Sequence, residues 1–304
     1  MVYKLNRFIS VKENKNDKII IKTPLDVIEI KTQNTDIVIG ILDFFKAGSS
    51  IEELSKKYNY DDINELIINL INKKVLIEQI EADAGIADKF NLIQQFANIN
   101  HNNIFDINKK SILIIGNSLT INYLNEDLIK VGINNLFNFE LENNDKDIEK
   151  ISKILSINKF DLLIYFNGVY NYDLCKFINK RCLEDNLTFI FGQLKNLNAN
   201  IGPIIIPNET PCLNCLELRK MNNYEFTDLE KYFVKQYSNF DNQSIFYPKF
   251  YYKIISKIIS LELYKFYLDY KSCNLVGKEL EIDLINYETK YNRVLYNPQC
   301  QVCG

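Results

Sequence analysis

At 304 residues, with 47% apolar side chains that include 19 Tyr and 19 Phe, the chain is long enough for two domains, or one large domain with an appendage, and has ample material for a core. A net charge of −3 gives no bulk reason to expect nucleic acid or an anionic membrane as partner. The N-terminus lacks the basic patch and apolar run of a secretion signal, and no stretch approaches the roughly 18 unbroken apolar residues of a membrane span, so a cytoplasmic protein with reduced thiols is expected.

Residues 3–31 alternate as strands do. Tyr3–Ile9 and Lys18–Lys22 flank the polar turn Asn14-Lys15-Asn16-Asp17, and Leu25–Ile30 is a third candidate. Helical patterns follow. Asn34 or Thr35 caps a helix through Phe45 that Gly48 stops, Ser50-Ile51-Glu52-Glu53 opens a short helix through Lys57, and Asp61 or Asp62 caps a third. Ile63, Leu66, Ile67 and Leu70 form the apolar stripe of that third helix, and Val75–Glu78 reads as a closing strand. Three strands and three helices over residues 1–80 describe a winged-helix-like module. A duplex reader usually carries a basic excess, whereas this segment has twelve basic and twelve acidic side chains. The other use of such a module is to offer the edge of its third strand, Leu25–Lys31, to an extended peptide, with the third helix closing the groove.

Residues 81–110 read as a linker, and the single histidine, His101, as a solvated linker residue. From Ser111 an α/β pattern begins. Strands are expected at 112–116, 136–139, 160–166 and 188–191, with helices at 122–132, 148–155 and 173–185, so βαβ units and a parallel sheet follow. The longest apolar stretch, Phe250–Tyr270, is broken by Lys253, Lys257, Glu262 and Lys265 and reads as a buried helix.

The first α/β strand ends where a phosphate-binding glycine loop would sit, but the residues are Gly116-Asn117-Ser118-Leu119-Thr120-Ile121. Two glycines are missing, and Leu119 and Ile121 stand where the backbone should be bare. Glu140 and Glu142 are poor substitutes for a ribose-binding carboxylate at the end of the second strand. There is no usable histidine for a nucleophile–base pair, no Gly-x-Ser-x-Gly elbow and no P-loop lysine.

Of the seven cysteines, Cys175, Cys182 and Cys273 are scattered and are read as small buried apolar residues. The other four form two C-x-x-C pairs, Cys212/Cys215 and Cys300/Cys303, the usual supply for one tetrahedral structural zinc. Four thiolates close the coordination sphere and leave no position for a reactive water.

The segment Ile201-Gly202-Pro203 through Pro207-Asn208-Glu209-Thr210-Pro211-Cys212-Leu213-Asn214-Cys215-Leu216, followed by a helix, resembles the ThiF/MoeB-like, ubiquitin-activating-enzyme-like fold. The closing Asn297-Pro298-Gln299-Cys300-Gln301-Val302-Cys303-Gly304 resembles the end of that fold. The nearest pattern is that of the ocin-ThiF-like partner proteins of azoline peptide biosynthesis. The resemblance implies an α/β fold: a winged-helix-like RiPP recognition element at 1–80, a linker at 81–110, and a degenerate Rossmann-like ThiF/MoeB-type domain at 111–304 with a zinc site at Cys212, Cys215, Cys300 and Cys303. It further implies a non-catalytic subunit that binds the leader of a ribosomal precursor peptide and delivers it to a YcaO-type ATP-dependent cyclodehydratase forming thiazolines or oxazolines, in the biosynthesis of a bacteriocin, cytolysin or thiopeptide. An azoline dehydrogenase and a second copy of the chain are further implied partners, and ATP is not an expected cofactor. Leu25, Val27, Ile28 and Ile30 would form one wall of the peptide groove, with Leu66, Asn69 and Leu70 on the other; Leu66 and Leu70 serve ordinary core packing equally well. Two rivals are an enzyme that adenylates a peptide and a winged-helix DNA regulator.

Overall fold

The structure is a computed structural model and describes residues 1–6, 9–14, 18–23, 27–32, 34–79, 107–144, 146–168, 171–195, 197–223, 247–268 and 273–303. The chain divides into two units, Met1–Ile99 and Asn100–Gly304.

In the first unit the strand expected from Tyr3 to Ile9 ends at Leu5, and the next strand starts at Ser10 in a different sheet. Strand β1 (Val2–Leu5) is the centre of a small antiparallel sheet, between β5 (Ser49–Ser50) and β6 (Leu76–Glu78). Strands β2 (Ser10–Asn14), β3 (Lys18–Lys22) and β4 (Val27–Lys31) form a separate antiparallel meander with β3 in the middle. The break falls at Asn6, which is 1% exposed. Its backbone N–H donates to the Val75 carbonyl and its side-chain amide to that of Lys74, so the chain is pinned there and cannot continue as one strand.

Helices α1 (Thr35–Phe44), α2 (Ile51–Ser55) and α3 (Tyr60–Asn72) cover the apolar faces. Ser50 and Glu53 form the reciprocal capping box that starts α2, each satisfying the other's backbone N–H. Helix α3 starts at Tyr60 with Asn59 in the N-cap position, two residues before Asp61 and three before Asp62. Ile19 and Ile21 of β3 are fully buried against Val38, Ile41, Ile67 and Leu70. Period-two alternation thus meets helical periodicity in one core.

Residues 80–106, which include His101 and most of the expected linker, lie outside the described residues. Ile107, inside the expected linker, is 2% exposed, belongs to the second unit and leads through a turn to the strand that starts at Ser111.

The second unit is built on a seven-stranded sheet in the order β13-β12-β11-β10-β9-β7-β8. Strands β7 (Ser111–Gly116), β8 (Asn135–Glu140), β9 (Leu162–Asn167) and β10 (Thr188–Lys195) run parallel, as expected. Strands β11 (Asn198–Ile205), β12 (Lys278–Asp283) and β13 (Thr289–Arg293) are antiparallel to their neighbours, so the sheet is mixed rather than wholly parallel. The reason is connection length. A crossover between parallel strands needs about a dozen residues, whereas β10 reverses into β11 through a turn that holds Leu197 at φ 64.

The helices of this unit are α4 (Ser118–Lys130), α5 (Lys146–Ile157), α6 (Tyr172–Glu184), α7 (Leu213–Asn223) and α8 (Lys249–Leu268). Leu113, Ile115, Leu163, Tyr165, Phe189 and Phe191 face one layer, with Leu155, Ile178 and the cysteine knuckles. On the other side α8 packs along α4, where Asp127 takes both the Ser256 hydroxyl and the Lys257 ammonium. Helix α8 is not buried all round. Ile255, Ile259 and Leu263 are 0% exposed, but Phe250, Ile254 and Leu261 lie on its outer side at 40–53%. No helix among the described residues is long and apolar enough to cross a membrane.

Gly202 sits at φ +83, and a Cβ there would fall 2.6 Å from the Lys278 carbonyl oxygen. Gly202→Ala is therefore expected to cost more than about 1 kcal/mol, read as a lowered midpoint in urea unfolding. An unchanged midpoint would show that β11 and β12 do not approach this closely.

Candidate functional site

The first candidate is the β4–α3 wall of the N-terminal unit. Among the described residues β4 has one strand neighbour, β3, and so presents the edge of its sheet. Its side chains alternate: Val27 is 60% exposed, Ile28 and Ile30 are half-buried against the core, and Glu29 and Lys31 point to solvent. On α3, Leu66 is half-buried and Asn69 exposed, whereas Leu70 is 2% exposed and belongs to the core. Leu25 lies outside the described residues. Ile28, Ile30 and Leu66 are thus partly uncovered apolar groups on the same core, beside a strand edge.

The second candidate is the crest where the parallel strands β7 and β9 end. Gly116 permits the closest backbone approach in this region, since a Cβ on it would lie 2.3 Å from the Phe166 carbonyl oxygen. The first turn of α4 is closed by Asn117, whose Oδ1 accepts the Thr120 N–H at 2.9 Å. That side chain occupies a helix N-terminal donor a phosphate would need. Asn117 Nδ2 also donates to the Tyr252 hydroxyl at 3.3 Å, and this hydroxyl lies 2.4 Å from where a Cβ on Gly168 would be. Burial pushes the Tyr252 hydroxyl pKa up, partly offset by the Asn117 amide. Asn167, 1% exposed, accepts the Gly168 N–H and donates to Asn143. At the neighbouring strand end, the buried Asp147 accepts the N–H groups of Glu142 and Asn144, while the Glu142 carboxylate pairs with Lys150. The residues here are committed to one another: the Phe166 carbonyl and the Thr120 methyl crowd Gly116, the Tyr252 phenol stands over Gly168, and Asn117 takes a donor at the start of α4, an arrangement that does not suit a nucleotide.

The third candidate is the thiol quartet. Cys212, Cys215, Cys300 and Cys303 place all four Sγ atoms within 4.8 Å of one another. The Sγ–Sγ distances are 4.0 Å for Cys212–Cys215, 3.7 Å for Cys212–Cys300, 3.4 Å for Cys215–Cys303 and 3.7 Å for Cys300–Cys303. A tetrahedron with metal–sulfur bonds of about 2.3 Å has sulfur edges of about 3.8 Å. The donor set therefore fits one tetrahedral metal ion, with no protein-free corner.

Sequence pattern did not reveal what holds the quartet. The Asn179 side chain, 1% exposed, accepts the Leu213 N–H at 3.0 Å and fixes the start of α7 beside the first knuckle. Asn214 Nδ2 points at Cys300 Sγ at 3.3 Å, and the Asn297 N–H at Cys215 Sγ at 3.4 Å. Arg219 grips the approach to the second knuckle, donating to the carbonyls of Leu295 at 2.9 Å and Tyr296 at 2.6 Å. Asn214 and Arg219 lie in the conspicuous motif, but their partners are more than seventy residues away, and Asn179 has no motif. Burial pushes the Cys212 thiol up, and the Cys215 thiol to about 11. Cys300 is the exception: burial opposes its thiolate, but the Asn214 amide and the N–H groups of Val302 and Cys303 outweigh that and bring it down to about 6. Cys175, Cys182 and Cys273 are buried and separate from the quartet, as small apolar residues would be.

With this geometry established, the relatives take on meaning. The model of the ThiF family matches residues 109–302, and the chain belongs to that family. No curated protein is matched by the sequence. Among solved structures, the heterocyclase TruD superposes with a TM-score of 0.74 at 15% identity over 100% of this chain and 43% of its own. A heterocyclase in complex with substrate and cofactor gives 0.73 at 15%, over 100% of this chain and 39% of its own. MccB of E. coli, determined with AMPCPP and MccA, gives 0.73 at 16% and is covered along its whole length, as is this chain. The chain thus spans about two-fifths of the heterocyclases it resembles.

Metal uptake must displace protons from the raised Cys212 and Cys215 thiols. One equivalent of Co²⁺ is expected to bind with thiolate charge-transfer absorption, with affinity falling as pH drops, and Cys212→Ser should weaken it by at least tenfold. Affinity that does not vary with pH would rule out thiolate ligation.

Proposed function

We propose that this protein is a non-catalytic, leader-binding subunit of a peptide-heterocyclising system. Its N-terminal winged-helix-like module, a RiPP recognition element, receives the leader of a ribosomal precursor as a strand added to β4, with α3 as the opposite wall. The ThiF-type body docks a separate YcaO-type enzyme, which uses ATP to convert core cysteines, and hydroxyl residues such as serine and threonine, into thiazolines and oxazolines. In this reading Zn²⁺ on the four cysteines is structural, the protein works in the cytoplasm, and an azoline dehydrogenase and a second copy of the chain complete the assembly. The product is a bacteriocin, cytolysin or thiopeptide.

One observation supports the non-catalytic half: Asn117 takes a donor of the α4 N-terminus and holds Tyr252 over Gly168, where a nucleotide-using member of this fold needs open backbone. The leader-binding half is supported by the edge position of β4 and the half-buried Ile28, Ile30 and Leu66 beside it. The heterocyclase neighbours, whose chains extend well beyond the shared part, support a division of labour in which the remainder supplies the ring-forming chemistry.

A second reading has its own support. MccB matches this chain end to end and was determined with AMPCPP, which favours an enzyme that adenylates a peptide. ATP–pyrophosphate exchange by the purified chain with its precursor peptide separates the two. We expect none, and no heat of binding on titration with Mg–ATP; exchange above background would establish the adenylating enzyme.

Leader binding is tested by Val27→Glu and Asn69→Glu, both exposed positions in the free protein. Each is expected to weaken precursor binding by tenfold or more in fluorescence anisotropy without shifting the unfolding midpoint. Unchanged affinity in both folded variants would remove β4 and α3 as the groove.

A further inference from the structure

Resting on the leader-binding reading above, the register of the β2–β3–β4 sheet narrows the chemistry of the peptide. Ile19 and Ile21 are fully buried, so their neighbours Lys18, Ile20 and Lys22 lie on the outer face. Antiparallel pairing carries that face across the sheet: Ile20 stands between Lys12 and Glu29, Lys22 is opposite Val27, and Lys18 is opposite Lys31. Among the described residues of these strands, the outer face therefore holds Lys12, Lys18, Lys22 and Lys31 against a single carboxylate, Glu29. Lys18 pairs with Glu29 at 2.5 Å. Among the described residues, no carboxylate lies within ion-pair distance of Lys12, Lys22 or Lys31. The whole protein carries −3, and residues 1–80 are balanced, so this basic patch is a property of one sheet face, invisible in the totals.

We infer that the peptide received at β4 is acidic on its outward face, with two carboxylates four residues apart. A strand added beside β4 alternates its side chains in step with the sheet. Its outward positions fall beside Val27, Glu29 and Lys31, and its inward positions beside Ile28 and Ile30. The position beside Lys31 directly meets an ammonium that has no ion pair with a described carboxylate. The position beside Val27 lies one strand-spacing further from Lys22, about 10 Å in backbone terms, which two long side chains can span. The middle position meets a Glu29 already neutralised by Lys18. The inward positions face the half-buried Ile28, Ile30 and Leu66, so they are apolar. The recognised pattern is acidic, apolar, neutral, apolar, acidic.

The test uses the full chain and three short fluorescent peptides, identical but for their cores: Glu–Leu–Ser–Leu–Glu, Gln–Leu–Ser–Leu–Gln and Lys–Leu–Ser–Leu–Lys. At about 0.05 M salt the Glu peptide should bind several-fold more tightly than the Gln peptide and the Lys peptide most weakly, with the differences mostly lost at about 0.5 M. Lys22→Gln and Lys31→Gln should each weaken the Glu peptide about threefold and leave the Gln peptide unchanged. Both lysines are exposed, and Lys31→Glu should in addition shift preference toward the Lys peptide. Equal binding of the Glu and Gln peptides, or indifference to both lysine variants, overturns the inference while leaving leader binding intact. Tighter, lysine-dependent binding of duplex DNA or single-stranded RNA than of the Glu peptide overturns it in favour of nucleic acid. Failure of all three peptides, and of any peptide drawn from a random display library, removes the leader-binding reading and this inference together.

Discussion

The thiol quartet is the constraint on which the second unit depends. It joins the start of α7 to the last described turn of the chain, across the 88 residues that separate Cys212 from Cys300. A metal ion held by the quartet would close a loop of that length and remove on the order of 4–5 kcal/mol of unfolded-chain entropy by analogy with a disulfide. The strands β12 and β13 enter the sheet within that closed segment, so the mixed edge of the sheet and the metal-competent knuckles form one structural problem. Asn179, Asn214 and Arg219 solve the remainder of it by setting the direction of α7 and the path of residues 295–297.

The two ends of β7 illustrate how one fold carries different chemistry. Its start is an ordinary strand entry, with the Ser111 N–H held by Asp161. Its end is where relatives of this architecture meet small ligands, at the carboxyl ends of parallel strands. Here the close approach of Gly116 to Phe166 is kept, while the helix N-terminus next to it is satisfied from within by Asn117. Fold and site are thus separable: the close backbone approach is present, while one donor of the helix N-terminus, the Thr120 N–H, is used internally.

What was legible in the sequence follows a simple rule of range. The capping box of Ser50 and Glu53 spans three residues, and its helix starts where the pattern placed it. The cysteine pairs were legible because thiolates at short spacing admit few explanations, and their meeting in space follows from the metal geometry they suit. The break of the first strand at Asn6 was not legible, because its cause is a pair of hydrogen bonds to residues 74 and 75. Nor was the mixed sheet, since β10–β11 alternation looks the same whichever way the second strand runs. Tyr252 reaches Asn117 across 135 residues of chain and leaves no local signature. Leu70 was ambiguous from periodicity alone, and burial resolves it as core.

The Asn117–Tyr252 contact also bears on how such a protein changes over generations. Replacing residues 117–121 with a glycine-rich loop would free the backbone of α4, yet the Tyr252 ring, anchored in α8 against Phe166, would still stand over Gly168. Shortening Tyr252 alone would open a buried gap and leave Asn117 capping its helix. Either change by itself leaves the other in place, so clearing the space over Gly168 and freeing the α4 N-terminus takes changes in two distant segments at once.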